Sequence, residues 1–105
     1  IGGLNGSPVL GAYCISKAAD MQLARNIATE YGGDNVRANT IAPGLIKTNF
    51  ARALWENPDI LKEATSGAAL KRIGTPEEIG GVAVLLASKA GSYITGQTLI
   101  VDGGT

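Results

Sequence analysis

Residues 75–101 constrain this chain most. They begin "TPEEIGGVAVLLAS" and close through "TGQTLIV". Thr75 at the N-cap, Pro76 at the first helical position and Glu78 three residues after the cap spell a capping box. Ile79, Val82, Ala83, Leu85 and Leu86 then build an apolar helix face. The strand that follows, centred on Thr98 to Val101, is almost wholly apolar, as a strand covered on both faces must be. A helix feeding a doubly covered strand is half of an α/β unit with a parallel sheet.

The rest of the chain supplies more of that architecture. A long helix is expected from about Gly11 to Gly32, with one stripe of Ile15, Ala19, Leu23, Ile27 and Tyr31 and a neighbouring stripe of Tyr13, Lys17, Met21, Ala24 and Ala28. Gly32-Gly33 offers its stop. In "NVRANTIAPG", Val36, Ala38, Thr40 and Ala42 alternate with more polar neighbours up to Ile41, a strand ended by a Pro43-Gly44 turn. Two short helices split at Asn57-Pro58 are expected next, the first capped by Thr48 or Asn49. Two strands expose two edges and cannot shelter this many apolar helix faces, so the sheet calls for further strands.

Composition narrows the partners. The 105 residues carry no net charge and are 17% charged, which gives no electrostatic reason to expect nucleic acid. No apolar run reaches the roughly 20 residues of a membrane span, and the first residues lack a signal-peptide pattern, so a cytoplasmic protein is expected. With no histidine and one cysteine, Cys14, there is no metal cluster, disulfide or His-assisted nucleophile to expect. Proton transfer is left to carboxylates, lysine and tyrosine.

That directs attention to "GAYCISKAAD", where Tyr13 and Lys17 stand four residues apart on one helix face. A phenol ordinarily ionises near pH 10, and an ammonium within about 4 to 6 Å favours its phenolate. The pair is therefore an acid/base candidate, set against the plainer alternative of a lysine snorkelling over a surface tyrosine.

"AYCISKAA", then "NTIAPGLIKT", the capped "PEEIGGVAVLLAS" and the terminal "ITGQTLIVDGG" follow one another in the order found in the C-terminal half of the short-chain dehydrogenase/reductase family, which this chain resembles along essentially its whole length. "APGLIKTNFARALW" is similar to its glucose-1-dehydrogenase-like and carbonyl-reductase-like members. The resemblance implies a Rossmann-like, doubly wound parallel sheet, with residues 1–105 as the C-terminal catalytic part of a single domain. It implies hydride transfer between NAD or NADP and a small alcohol or carbonyl substrate. Tyr13 would exchange the proton, and Lys17 would bind the nicotinamide ribose and favour the phenolate. Pro43, Gly44, Ile46 and Thr48 match positions beside the nicotinamide, and Phe50, Leu54 and Trp55 fall in the variable substrate lid. A homotetramer is implied as well.

The family's glycine-rich TGxxxGxG turn is nowhere in the sequence. The serine thirteen positions before the tyrosine would fall one position before Ile1. Ser7 reads as a turn residue and Ser16 as a helix residue turned away from Tyr13, so neither replaces it. The 105 residues are accordingly expected to be part of a longer chain and inactive alone, the alternative being a non-catalytic oligomerising remnant. Cys14 is expected to be a small buried residue, and Lys71 and Arg72 to be solvated.

Overall fold

The computed structural model describes residues 2–105. Its elements run α1 (Gly11–Tyr31), β1 (Thr40–Pro43), α2 (Arg52–Trp55), α3 (Pro58–Ala64), α4 (Pro76–Ala87) and β2 (Thr98–Val101), with short 3₁₀ turns at Gly32–Asp34 and Lys89–Gly91. The two strands are parallel, Thr40 facing Thr98 and Pro43 facing Val101. Helices α1 and α4 both pack on β1. This is the expected α/β arrangement, with the long crossover that parallel strands demand.

Of the two stripes on α1, one is buried at Met21 and Ala28 and opens to solvent at Tyr13, while the other is mostly exposed, Ile15 being 73% exposed and Ile27 half-buried. The α-helix stops at its glycines, with Gly32 as the C-cap, but not through a left-handed glycine. Gly32 stays right-handed, the 3₁₀ turn continues to Asp34, and Asn35 takes the left-handed position at φ 59°. Asparagine tolerates that region because its short amide can bond locally.

Strand β1 begins later than the alternation suggests. Over Ala38–Asn39 a side-chain clamp joins the backbone pairing: the Asn39 amide donates to the Ile94 carbonyl at 2.9 Å and accepts from the Gln97 N–H at 3.0 Å. The Thr95 hydroxyl accepts the Ala38 N–H at 3.1 Å.

Between the strands, the Thr48 hydroxyl accepts from the Ala51 N–H at 3.3 Å in the turn entering α2, and the Asn57 side chain caps α3 by accepting from Asp59 at 2.9 Å. The capping box of α4 forms, with the Glu78 carboxylate accepting the Thr75 N–H at 2.8 Å.

Glu78 also takes a forked pair of hydrogen bonds from Arg72, at 2.7 and 3.0 Å, so Arg72 is not simply solvated as expected. Lys71 is exposed as expected, adopts φ 53° and donates to the Ser66 carbonyl. The Arg72 guanidinium first, and then the Thr75 N–H, hold the Glu78 carboxyl down from its ordinary 4.5 to about 2. Because the folded value is depressed, the stabilisation is complete above the ordinary value and is lost as pH falls from about 4.5 towards about 2. Thermal melts of the protein and of Glu78→Gln are expected to converge across that interval. Parallel pH dependences would contradict the assignment.

The core is thin. Met21, Ala28, Ala42 and Ala68 are its buried apolar residues among those described, while Phe50 and Tyr93 are 102% and 99% exposed. The radius of gyration is 15.4 Å, against roughly 13 Å for a compact chain of this length. The two-stranded sheet carries more apolar surface than it covers, as its count of strands required.

Candidate active site

A cleft of about 770 Å³ runs between β1 and the first two turns of α1, closed on one side by the loop over residues 2–10. Its walls hold Tyr13 and Lys17 from the helix and Pro43 and Gly44 from the strand end. The cleft runs along the whole of β1, and its Pro43-Gly44 end lies at the carboxyl end of the strand, where ligands sit in open parallel sheets.

Each wall has a local cause. Ser7 accepts hydrogen bonds from the Val9 and Leu10 N–H groups at 3.2 and 3.0 Å, turning the chain into α1. Ser16 donates to the Tyr13 carbonyl at 2.7 Å, a bond within the helix. Ser7 lines the cleft, and Ser16 does not. Gly3 lies against the helix turn bearing Lys17, where a Cβ would come within 2.8 Å of the Lys17 carbonyl carbon and the Ala18 nitrogen.

Gly44 donates its N–H to the Val101 carbonyl at 3.0 Å, and a Cβ there would lie 2.7 Å from the Asp102 Cα. Glycine alone permits that approach, so the Pro43-Gly44 wall is set by main-chain contact between the strand ends.

The Lys17 ammonium stands 5.1 Å from the centre of the Tyr13 ring, a cation–π distance, and 3.6 Å from an Asp20 carboxylate oxygen. Tyr13 is 53% exposed, so its phenol has access to the cleft. Cys14 is half-buried and lines the same space.

The remaining expected site residues lie elsewhere. Ile46 forms a bridge with Gly74 and lines a separate cavity of about 100 Å³ with Arg72 and Glu78. The Thr48 carbonyl accepts from the Trp55 indole N–H at 2.8 Å. Trp55 also carries the Lys47 ammonium 4.9 Å over its ring, which makes it an anchor of the 47–55 segment. Phe50, Leu54 and Trp55 are not among the residues lining the large cleft, so here the expected substrate lid does not close over it. Asp20 is the group that sequence reasoning passed over. Its signal was the Lys17–Asp20 spacing of three on the Tyr13 face.

Among the described residues there is no His/Cys/Asp/Glu cluster able to hold a metal, and no helix long and apolar enough to cross a membrane.

A parallel sheet flanked by helices, with a cleft reaching the carboxyl end of a strand, places the chain among Rossmann-like α/β proteins. The enoyl-(acyl carrier protein) reductase family matches residues 1–105. Dehydrogenase/reductase SDR family member 4 of Bos taurus is 47% identical over 98 residues, covering 93% of this chain and 35% of that protein. The 3-oxoacyl-(acyl-carrier-protein) reductase FabG of Chlamydia muridarum is 45% identical over 102 residues, covering 97% of this chain and 40% of that protein. Among solved structures, 4-hydroxyisoleucine dehydrogenase complexed with NADH superposes with a TM-score of 0.93 at 33% identity, covering 98% of this chain and 42% of that one. The Pseudomonas aeruginosa RhlG/NADP active-site complex superposes at 0.90 with 36% identity, covering 98% and 42%.

The chain belongs to the short-chain dehydrogenase/reductase family, whose members are oxidoreductases. It spans about two fifths or less of the length of the relatives just named.

Proposed function

We propose that these residues form the proton-transfer and nicotinamide-facing part of an NAD(P)-dependent oxidoreductase acting on a small alcohol or carbonyl compound. The observation that carries this is the sharing of one cleft by Tyr13, Lys17 and the Pro43-Gly44 turn. The solved relatives in complex with NADH and with NADP support a nicotinamide cofactor and leave the choice between the two open.

The donor set fits such a group. The Lys17 ammonium suits the hydroxyls of a ribose. The cleft volume lies in the range of small-molecule sites. When bound, the cofactor would supply or accept the hydride. Tyr13 Oη would donate its proton to the carbonyl oxygen in reduction and take the alcohol proton in oxidation. Lys17 Nζ would hold the ribose hydroxyls. Pro43 and Gly44 would fix the depth of the ring through a backbone that cannot retreat without disturbing Asp102. Ile46 through its backbone and Thr48 through its hydroxyl would contact the carboxamide or a phosphate from the loop leaving Gly44.

The 105 residues alone are proposed to be inactive, because no phosphate-cradling glycine turn or substrate-orienting serine is in the sequence. In the full-length protein, which we read as one Rossmann-like domain with this part at its C-terminal side, further strands would cover the exposed β1 and β2 edges. Copies of the chain, as a homotetramer, would cover the Ile15 stripe of α1.

Fluorescence titration of the full-length protein with NADH and NADPH tests the reading. Saturable binding of one, weakened by Lys17→Ala, is expected. Absence of binding to both would overturn it.

A further inference from the structure

The loop that leaves β1 is held from outside the cleft. The Leu45 carbonyl accepts from the Gly74 N–H at 3.0 Å, and the Lys47 N–H donates to the Gly74 carbonyl at 2.9 Å, so Ile46 and Gly74 form one step of parallel pairing. In such a step the main-chain groups of the residue facing the bonded one point the opposite way. The N–H and C=O of Ile46 are therefore turned away from Gly74, and among the described residues neither has a protein partner.

Gly74 is in turn gripped on both sides. Arg72 Nη1 donates to the Ile73 carbonyl at 3.2 Å and to Glu78 Oε2 at 3.0 Å, and Arg72 Nη2 donates to Glu78 Oε1 at 2.7 Å. Glu78 Oε2 also accepts the Thr75 N–H at 2.8 Å. The Ile73 carbonyl belongs to the same peptide plane as the Gly74 N–H, and the Thr75 N–H to the same plane as the Gly74 carbonyl. Each plane is rigid, so fixing one end of it fixes the other. Arg72 and Glu78 thereby aim both of the bonds that Gly74 makes to the loop.

The seating is close. A Cβ at Gly74 would lie 2.7 Å from Ile46 Cδ1, and the cavity that Ile46, Arg72, Gly74 and Glu78 share is about 100 Å³. The side chains of Arg72 and Glu78 are 52% and 41% exposed, so solvent screens what their pairing adds to overall stability. Its consequence is local, at the two planes it joins. None of Arg72, Gly74 and Glu78 lines the large cleft, so any influence there passes through the loop.

We propose that Arg72 and Glu78, acting through Gly74, are positioning residues for the nicotinamide: they hold residues 45–47 so that the free N–H and C=O of Ile46 meet the acceptor and the donor of the carboxamide. This rests on the reading that the loop leaving Gly44 faces the nicotinamide.

The test uses the full-length protein. Affinity for NADH or NADPH, whichever binds, is compared with affinity for ADP-ribose or its 2′-phosphate, which lack the nicotinamide, in the wild type, Arg72→Ala, Glu78→Gln and the double variant. Hydrogen exchange of the Lys47 amide is followed without cofactor. Glutamine keeps the capping box, and Arg72→Ala leaves Glu78 on the Thr75 N–H, so α4 retains its start in both. Each single variant is expected to bind the dinucleotide about three- to tenfold more weakly, roughly the net worth of one hydrogen bond, with affinity for the ADP-ribose compound unchanged. Lys47 is expected to exchange faster while the amides of α1 keep their wild-type rates. The double variant is expected to match the single ones, because each removes the same fork. Equal weakening for both ligands, wild-type affinity for both, or unchanged exchange at Lys47 would overturn the role of Arg72 and Glu78 and leave the reading of Tyr13 and Lys17 standing. A wild-type protein that binds neither dinucleotide would overturn both.

Discussion

Tyr13→Phe in the full-length protein is expected to lower kcat by about 10² to 10⁴, the range for removal of a positioned general acid or base. Cofactor affinity and melting temperature are expected to stay near those of the wild type. The substitution removes one oxygen and keeps the ring that lies under the Lys17 ammonium at 5.1 Å and beside Gly2. Binding contacts are therefore preserved while the transferable proton is lost, so the loss falls on kcat with little change in KM. Steady-state kinetics with a cofactor titration check this. A rise in KM at unchanged kcat would instead make Tyr13 a binding residue.

Gly44→Ala carries the second large effect, and it is structural in origin. The added methyl would meet the Asp102 Cα, Cβ and carbonyl oxygen at 2.7 to 2.9 Å, two of them main-chain atoms that cannot swing aside. The strand ends must separate, weakening the Gly44 N–H bond to Val101 and displacing the wall opposite Tyr13. Overpacking of this kind costs about 1 to 3 kcal/mol. Denaturant unfolding is expected to show a lower midpoint, accompanied by a larger proportional loss of cofactor affinity. An unchanged midpoint would mean that the strand ends are less tightly joined than the hydrogen bond and contact distances require.

Local signals explain which parts of this structure were legible beforehand. The capping box at Thr75–Glu78 and the Tyr13/Lys17 face depend on neighbours within a turn of helix, and each formed as the sequence prescribes. What escaped depends on distant partners. The start of β1 is set by Asn39 reaching across to Ile94 and Gln97, 55 and 58 positions away. Arg72 looked like a solvent-facing residue until the fold brought it back onto Glu78. The bond from the Trp55 indole to the Thr48 carbonyl, seven positions away, also carries no local signal.

The central claim is that the Tyr13/Lys17 face of α1 is where the nicotinamide end of the cofactor sits. Its most direct measurement is the distance from Lys17 Nζ to the ribose oxygens in a crystal structure of the full-length protein with NAD(P)H. The account predicts hydrogen-bond distance, with the nicotinamide ring between Tyr13 and Gly44. A cofactor bound away from this cleft, with Lys17 still held by Asp20 in open solvent, would contradict it.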